Sequence, residues 1–160
     1  MPSKVEANSP VANEKIGIVV SRYNDNITQR LLTAAIETLE QAGINQSRQT
    51  VVWVPGAWEI PIATQRLLSR PEIRGVVTLG AVIRGETTHD VHINTSVSQA
   101  LMQLSLAAAK PVAFGVLTTN NLEQAIHRAG GNVGNRGHEA ATALLEVLDA
   151  LEKISPSQMS

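Results

Sequence analysis

The chain has 160 residues, enough for one domain with its own core. Hydrophobic residues make up 43% and charged residues 17%, and the formal net charge of -1 gives no global field that would recruit nucleic acid or an anionic membrane. With no cysteine there is neither a disulfide framework nor a thiolate metal site, which fits a reducing compartment, and no apolar run is long enough to span a bilayer.

Met1 to Glu14 lacks the apolar stretch of a signal peptide and reads as a flexible arm rich in Ser, Pro and Asn. Lys15-Ile-Gly-Ile-Val-Val-Ser21 is a β-branched run that predicts a buried strand. Asn24-Asp25-Asn26 is placed to cap a helix whose apolar positions Ile27, Leu31, Leu32, Ala35, Ile36 and Leu39 recur at three and four, with Gly43 ending it. Thr50 to Val54 predicts a second strand. A helix follows from about Trp58 to Ser69, with Pro61 tolerable only in its first turn. Gly75 to Leu79 predicts a third strand, and a long helix spans about His89 to Ala109, stopped before Pro111. Pro111 to Leu117 is a fourth strand. Asn120-x-x-Glu123 reads as a capping box for a short helix that Gly130 and Gly131 break. A last amphipathic helix is predicted from about His138 to Ile154, followed by a tail over 155–160. There is no internal repeat and no second domain.

Alternating strands and helices predict a parallel sheet covered on both faces. In such sheets ligands bind beyond the carboxyl ends of the strands. The chain has only four aromatic residues. Three of them, Tyr23, Trp58 and Phe114, lie at or beside these ends. In a chain whose core is otherwise aliphatic, this suits a site that stacks a flat ring, although satellite packing explains Tyr23 and Phe114 equally well at this stage.

The chemistry-bearing residues have both bland and functional readings. Gly85-Glu86-Thr87-Thr88-His89 leads into a helix, where free N–H groups favour an anion or simply form an N-cap. No dinucleotide fingerprint or Walker lysine is present. His89 suits proton transfer at the mouth of the crevice. His89 and His92, spaced i,i+3, share a helical face but lack a third ligand, so no metal is expected. His127 and His138 read as solvated helix residues. Glu59 either suits the helix dipole or accepts hydrogen bonds from sugar hydroxyls. Arg128 either suits the end of its helix or clamps a phosphate. Arg136, in a glycine-rich loop, is either a surface charge or part of the site.

The combination is more specific than any part. Ser21-Arg-Tyr-Asn24, Val54-Pro-Gly-Ala-Trp-Glu-Ile-Pro61, Gly80-Ala-Val-Ile-Arg-Gly-Glu-Thr-Thr-His89, Phe114-Gly-Val-Leu-Thr-Thr119 with Glu123-Gln-Ala-Ile-His-Arg128, and Gly134-Asn-Arg-Gly137 resemble the lumazine synthase motifs. The resemblance covers roughly residues 15 to 152, in order and with the family's spacing. It implies an α/β fold: a three-layer αβα sandwich with a four-stranded parallel, flavodoxin-like sheet, formed by a single domain over residues 15–154. It implies a cytoplasmic riboflavin-pathway transferase that joins a ribityl-substituted diaminopyrimidine to a four-carbon sugar phosphate without a cofactor.

The resemblance also implies roles. Tyr23 would stack on the pyrimidine, with Asn24 and the backbone near Val82 and Ile83 holding its edges. Ala57, Trp58 and Glu59 would bind the ribityl chain. The backbone at Glu86 and Thr87, with Arg128, would hold the phosphate, and His89 would be the acid–base group. In the family the site lies between subunits, so Phe114, Arg128 and Arg136 would come from the neighbour. The family forms pentamers, and in some members sixty-subunit shells. The short Gly130 to Gly137 link matches the shell-forming members, and the resemblance implies riboflavin synthase as a partner. Two positions depart from the family pattern: Asp90-Val91-His92 replaces an aromatic–acid–aromatic stretch, and Arg136 replaces a lysine. Two rival readings are a flavin-binding module, disfavoured because Ser21 to Asn26 contains no glycine, and a shell-forming scaffold with weak catalysis.

Overall fold

A computed structural model of the chain describes residues 14–84, 89–131 and 134–154, with His89 by its backbone alone. The arm expected at the N-terminus (apart from Glu14), the C-terminal tail, and Glu86 and Thr87 lie outside the described residues.

Strand β1 (Lys15–Ser21) leads into helix α1 (Asp25–Gln41), β2 (Gln49–Val54), α2 (Ile60–Leu68), β3 (Ile73–Ile83), α3 (His89–Ala108) and β4 (Val112–Thr119). The four strands form one parallel sheet in the order β2-β1-β3-β4. The chain then forms α4 (Leu122–His127), a small antiparallel pair β5 (Ala129–Gly131) and β6 (Gly134–Asn135), and α5 (Arg136–Lys153). This is the expected α/β sandwich.

Side chains alternate across the sheet because the strand period is two. Ile16, Ile18, Val20, Val77, Leu79, Ala113 and Leu117 pack with α1 and α5. Val19, Val76 and Val116 pack on the other face with α2 and α3. A register shift between Lys15 and Ile16 puts Ile73 on the same side as Val76. Each fully buried Ile or Leu contributes roughly 1.5–3 kcal/mol, which lets an aliphatic core dispense with aromatics.

The predicted ends of α1 hold with one change. At its C-terminus Gly43 sits at φ 92, Gly43 N–H donates to Glu40 O and Ile44 N–H to Leu39 O, both at 2.9 Å, a Schellman closure that favours glycine. At its N-terminus Asn24 occupies the cap position without capping through its side chain.

Other boundaries differ from the sequence-based expectation. Strand β3 continues through Gly80-Ala-Val-Ile83 because β4 pairs with it out to Thr119. The short helix is capped one residue later than predicted: Asn121 Oδ1 accepts from Gln124 N–H at 2.9 Å, while Gln124 Oε1 accepts from Asn120 N–H at 2.8 Å. Helix α5 begins at Arg136, since Asn135 Oδ1 caps Gly137 N–H (2.8 Å) and His138 N–H (3.2 Å). Arg136 therefore lies in a first helical turn and not in a loop.

Candidate active site

The loops after the four strands are joined into one rim by hydrogen bonds. Arg22 N–H donates to Val54 O (2.7 Å) and Tyr23 N–H to Pro55 O (2.9 Å), joining β1 to β2. Asn24 Nδ2 donates to Ala81 O (2.9 Å), joining β1 to β3. Arg84 N–H donates to Thr119 O (2.7 Å), joining β3 to β4. From β1 the chain crosses to β2 on one side and then to β3 on the other. The crevice between the ends of β1 and β3 is therefore the point where the strand order reverses, the usual ligand position in an open parallel sheet.

Asn24 is left-handed at φ 63, and its carbonyl still receives the Ile27 and Thr28 amides. This turn presents Tyr23 outward, with the residue 73% exposed above an amide that is fixed in place. A large aromatic left this open beside a crevice is free to stack on a ligand.

After β2, Ala57–Glu59 forms a single 3-10 turn before α2 begins at Ile60, so the helix predicted from Trp58 starts two residues later. Pro61 falls in its first turn, as expected. Glu59 Oε1 accepts from Gly56 N–H at 2.9 Å. That bond holds the Pro55-Gly56 turn closed and commits one carboxylate oxygen. Trp58 projects outward at 63% exposure. Val82 and Ile83 are half-buried at the end of β3. Helix α3 starts at His89 and packs against the Ala57–Glu59 turn. Asp90, one of the departures from the family pattern, is buried at 6% exposure with no partner for Oδ1 among the described residues, while His92 is exposed.

A second group lies on β4 and beyond. A cleft of about 340 Å³ is lined by Thr118, Thr119, Asn120, Gln124, His127 and Arg128. Arg128 is exposed, and among the described residues no carboxylate pairs with its guanidinium. Its carbonyl accepts from Arg136 N–H at 2.8 Å, which fixes the two arginines' backbones together. The Arg136 side chain instead turns along α5, with Nε 3.4 Å from Glu139. His127 is half-buried and not a solvated residue as its helical position suggested. The Glu123 carboxylate one turn before it and the adjacent Arg128 were the signal that sequence reading passed over.

One candidate stands apart. Phe114 pairs with Thr78, five residues below the Ile83–Thr119 pair that ends the ladder. At about 3.3 Å per residue this places it roughly 16 Å beneath the rim. It is 39% exposed on the edge strand of the sheet. Within one chain the structure therefore brings Tyr23, Asn24, Val82 and Ile83 to the crevice with the Ala57–Glu59 turn packed on β3, while Trp58 lines a groove between α2 and α3 and Phe114 lies away from both.

Residues 13–152 match the family described as 6,7-dimethyl-8-ribityllumazine synthase. The 6,7-dimethyl-8-ribityllumazine synthase of Rhodopirellula baltica is 47% identical over 148 residues, covering 92% of this chain and 96% of the relative. The synthase of Pediococcus pentosaceus is 46% identical over 140 residues, 88% of this chain and 90% of the relative. That of Lactiplantibacillus plantarum is 45% identical over 146 residues, 91% and 92% of the two chains.

Proposed function

Because the chain belongs to the 6,7-dimethyl-8-ribityllumazine synthase family, we propose that it condenses 5-amino-6-(D-ribitylamino)uracil with 3,4-dihydroxy-2-butanone 4-phosphate to give 6,7-dimethyl-8-ribityllumazine, phosphate and water. The observation that carries this reading to the site is the exposure of Tyr23 beside the β1–β3 crevice in a chain with three other aromatics.

Each residue then has a role. Tyr23 stacks on the pyrimidine, while Asn24 and the backbone of Val82 and Ile83 hold its edges. Ala57, Trp58 and the uncommitted oxygen of Glu59 hold the ribityl chain. Glu86 and Thr87 supply backbone donors to the phosphate, joined by Arg128. His89 moves protons. The amine attacks the ketone and an imine forms with loss of water. Phosphate leaves, and the resulting enol tautomerises to a ketone. The second amine closes the ring, again with loss of water. Much of the acceleration comes from holding two reactants in register, where well-oriented systems gain roughly 7–11 kcal/mol.

Phe114, Arg128 and Arg136 act in the neighbouring subunit's site. The depth of Phe114 below its own rim and the open guanidinium of Arg128 support this assignment. A shared site requires a closed ring. The ring is a pentamer, and the short Gly130 to Gly137 link favours assembly of pentamers into a sixty-subunit shell that associates with riboflavin synthase. Residues 15–154 form the catalytic unit, and the enzyme works in the cytoplasm. Direct assay of lumazine formation from the two substrates tests the reading; absence of product with purified, assembled protein overturns it.

A further inference from the structure

We propose that His127 is a second phosphate-binding residue, set beside Arg128 to hold the leaving group of the sugar phosphate. The inference rests on the reading above, in which Arg128 meets that phosphate, and adds a residue to it.

The cleft that Arg128 lines has walls largely committed to each other. The Thr119 hydroxyl donates to Asn121 O at 3.0 Å, and Gln124 Oε1 takes the Asn120 amide at 2.8 Å. The imidazole of His127 has only a loose contact, with the Glu123 carboxylate. Its Nδ1 is out of contact with water and has no partner among the described residues, and its Nε2 lies 3.7 Å from Glu123 Oε1, beyond a normal hydrogen bond. His138 shows the contrast. Its Nδ1 is 2.7 Å from Thr38 Oγ1, and that hydroxyl already donates to Ala34 O at 2.7 Å, so His138 supplies the shared proton and its Nδ1 is spent.

The Nε2 edge of this half-buried ring lines the same cleft as a guanidinium that no carboxylate pairs with among the described residues, and the two together suit an oxyanion. Among the described residues no carboxylate lines the cleft. Glu123 stands one turn earlier on α4 with its side chain 83% exposed. Helix α4 packs against β3, β4 and β5. The last two strands carry no titratable side chain, and the only one on β3 is Arg74 at the far end of the strand. Two donors of different shape on one phosphate fix its rotation as well as its place, which orients the carbon–oxygen bond that breaks when phosphate leaves.

The test is calorimetric titration of the assembled enzyme with inorganic phosphate and, separately, with the pyrimidine substrate. His127→Ala is expected to weaken phosphate roughly tenfold, since a hydrogen bond to a charged group is lost, and to leave pyrimidine affinity unchanged. His127→Gln, which restores a donor, is expected to recover most of the loss. Wild-type phosphate affinity in His127→Ala, with the affinity lost in Arg128→Ala, overturns the inference and leaves the Arg128 assignment standing. Equal losses for both ligands in His127→Ala reveal a structural role and also overturn it. Unchanged phosphate affinity in Arg128→Ala removes the phosphate assignment itself and the inference with it.

Discussion

The side-chain amide of Asn24 donates to the carbonyl of Ala81 across 2.9 Å, and this one bond spans the crevice between β1 and β3. It explains why the residue at the start of α1 does not cap that helix: capping needs the side-chain oxygen to accept from first-turn N–H groups, and the side chain is turned across the sheet from a left-handed backbone instead. Asn24→Gly keeps the backbone shape but loses the bond, so it is expected to cost about 1–3 kcal/mol, the penalty for a buried carbonyl left unpaired. Asn24→Ala adds the strain of a left-handed alanine, about 1–2 kcal/mol more. Chemical denaturation should rank them wild type, Gly, Ala. An Ala variant as stable as the Gly variant contradicts the strain argument. Turnover should fall in both because the crevice loses its tie.

His89→Ala should slow lumazine formation by about 10²–10⁴-fold, the usual worth of a positioned proton-transfer group, without abolishing it. The proposed contacts of Tyr23 and Arg128 would still orient the reactants in that variant. Single-turnover rates indistinguishable from wild type between pH 6 and 8 remove His89 from the mechanism.

Gly137 lies where α5 crosses α1, and a Cβ there would sit 2.0 Å from the Leu31 carbonyl oxygen. The obstacle is backbone, which cannot rotate aside. Gly137→Ala should therefore destabilise by at least the roughly 1–3 kcal/mol typical of overpacking. A lowered melting temperature with an otherwise intact site is the expected result, and a wild-type melting temperature contradicts the close packing.

The base of the sheet holds Arg74 between Glu14 and Glu152. Burial pushes the Glu14 carboxyl above its ordinary 4.5, with Glu152 adding to the rise and Arg74, Arg48 and Lys110 opposing it. The folded chain thus binds this proton more tightly than the unfolded chain. The stabilisation is full below the ordinary value and is lost as pH rises through the folded one. Glu14→Gln should therefore gain stability relative to wild type as pH increases from 4 to 7. A difference that stays constant over that range excludes Glu14 as the source.

Assembly is tested by multi-angle light scattering on fresh protein. The expected mass is that of a sixty-subunit shell. A mass of five subunits at all concentrations defeats the shell and keeps the shared site, whereas a fully active monomer defeats the shared site.

The sequence by itself determined the layers. Lys15 to Ser21 and Ile27 to Leu39 carry their periods locally, so strand, helix and buried face follow from which residues recur at two or at three and four. Gly43 and Pro61 likewise act on their own backbones. The motifs around Tyr23, Trp58 and Arg128 were legible as a family pattern because their spacing is a property of the chain. Tertiary structure decided what depends on distant partners. Val82 and Ile83 became strand because Thr118 and Thr119 pair with them. The Asn24 side chain left its helix for a carbonyl 57 residues away. His127 acquired a cleft, and Phe114 fell beneath the rim, because sheet register and helix packing set depth and exposure. No local propensity encodes either quantity, since both are fixed by residues far away in the chain.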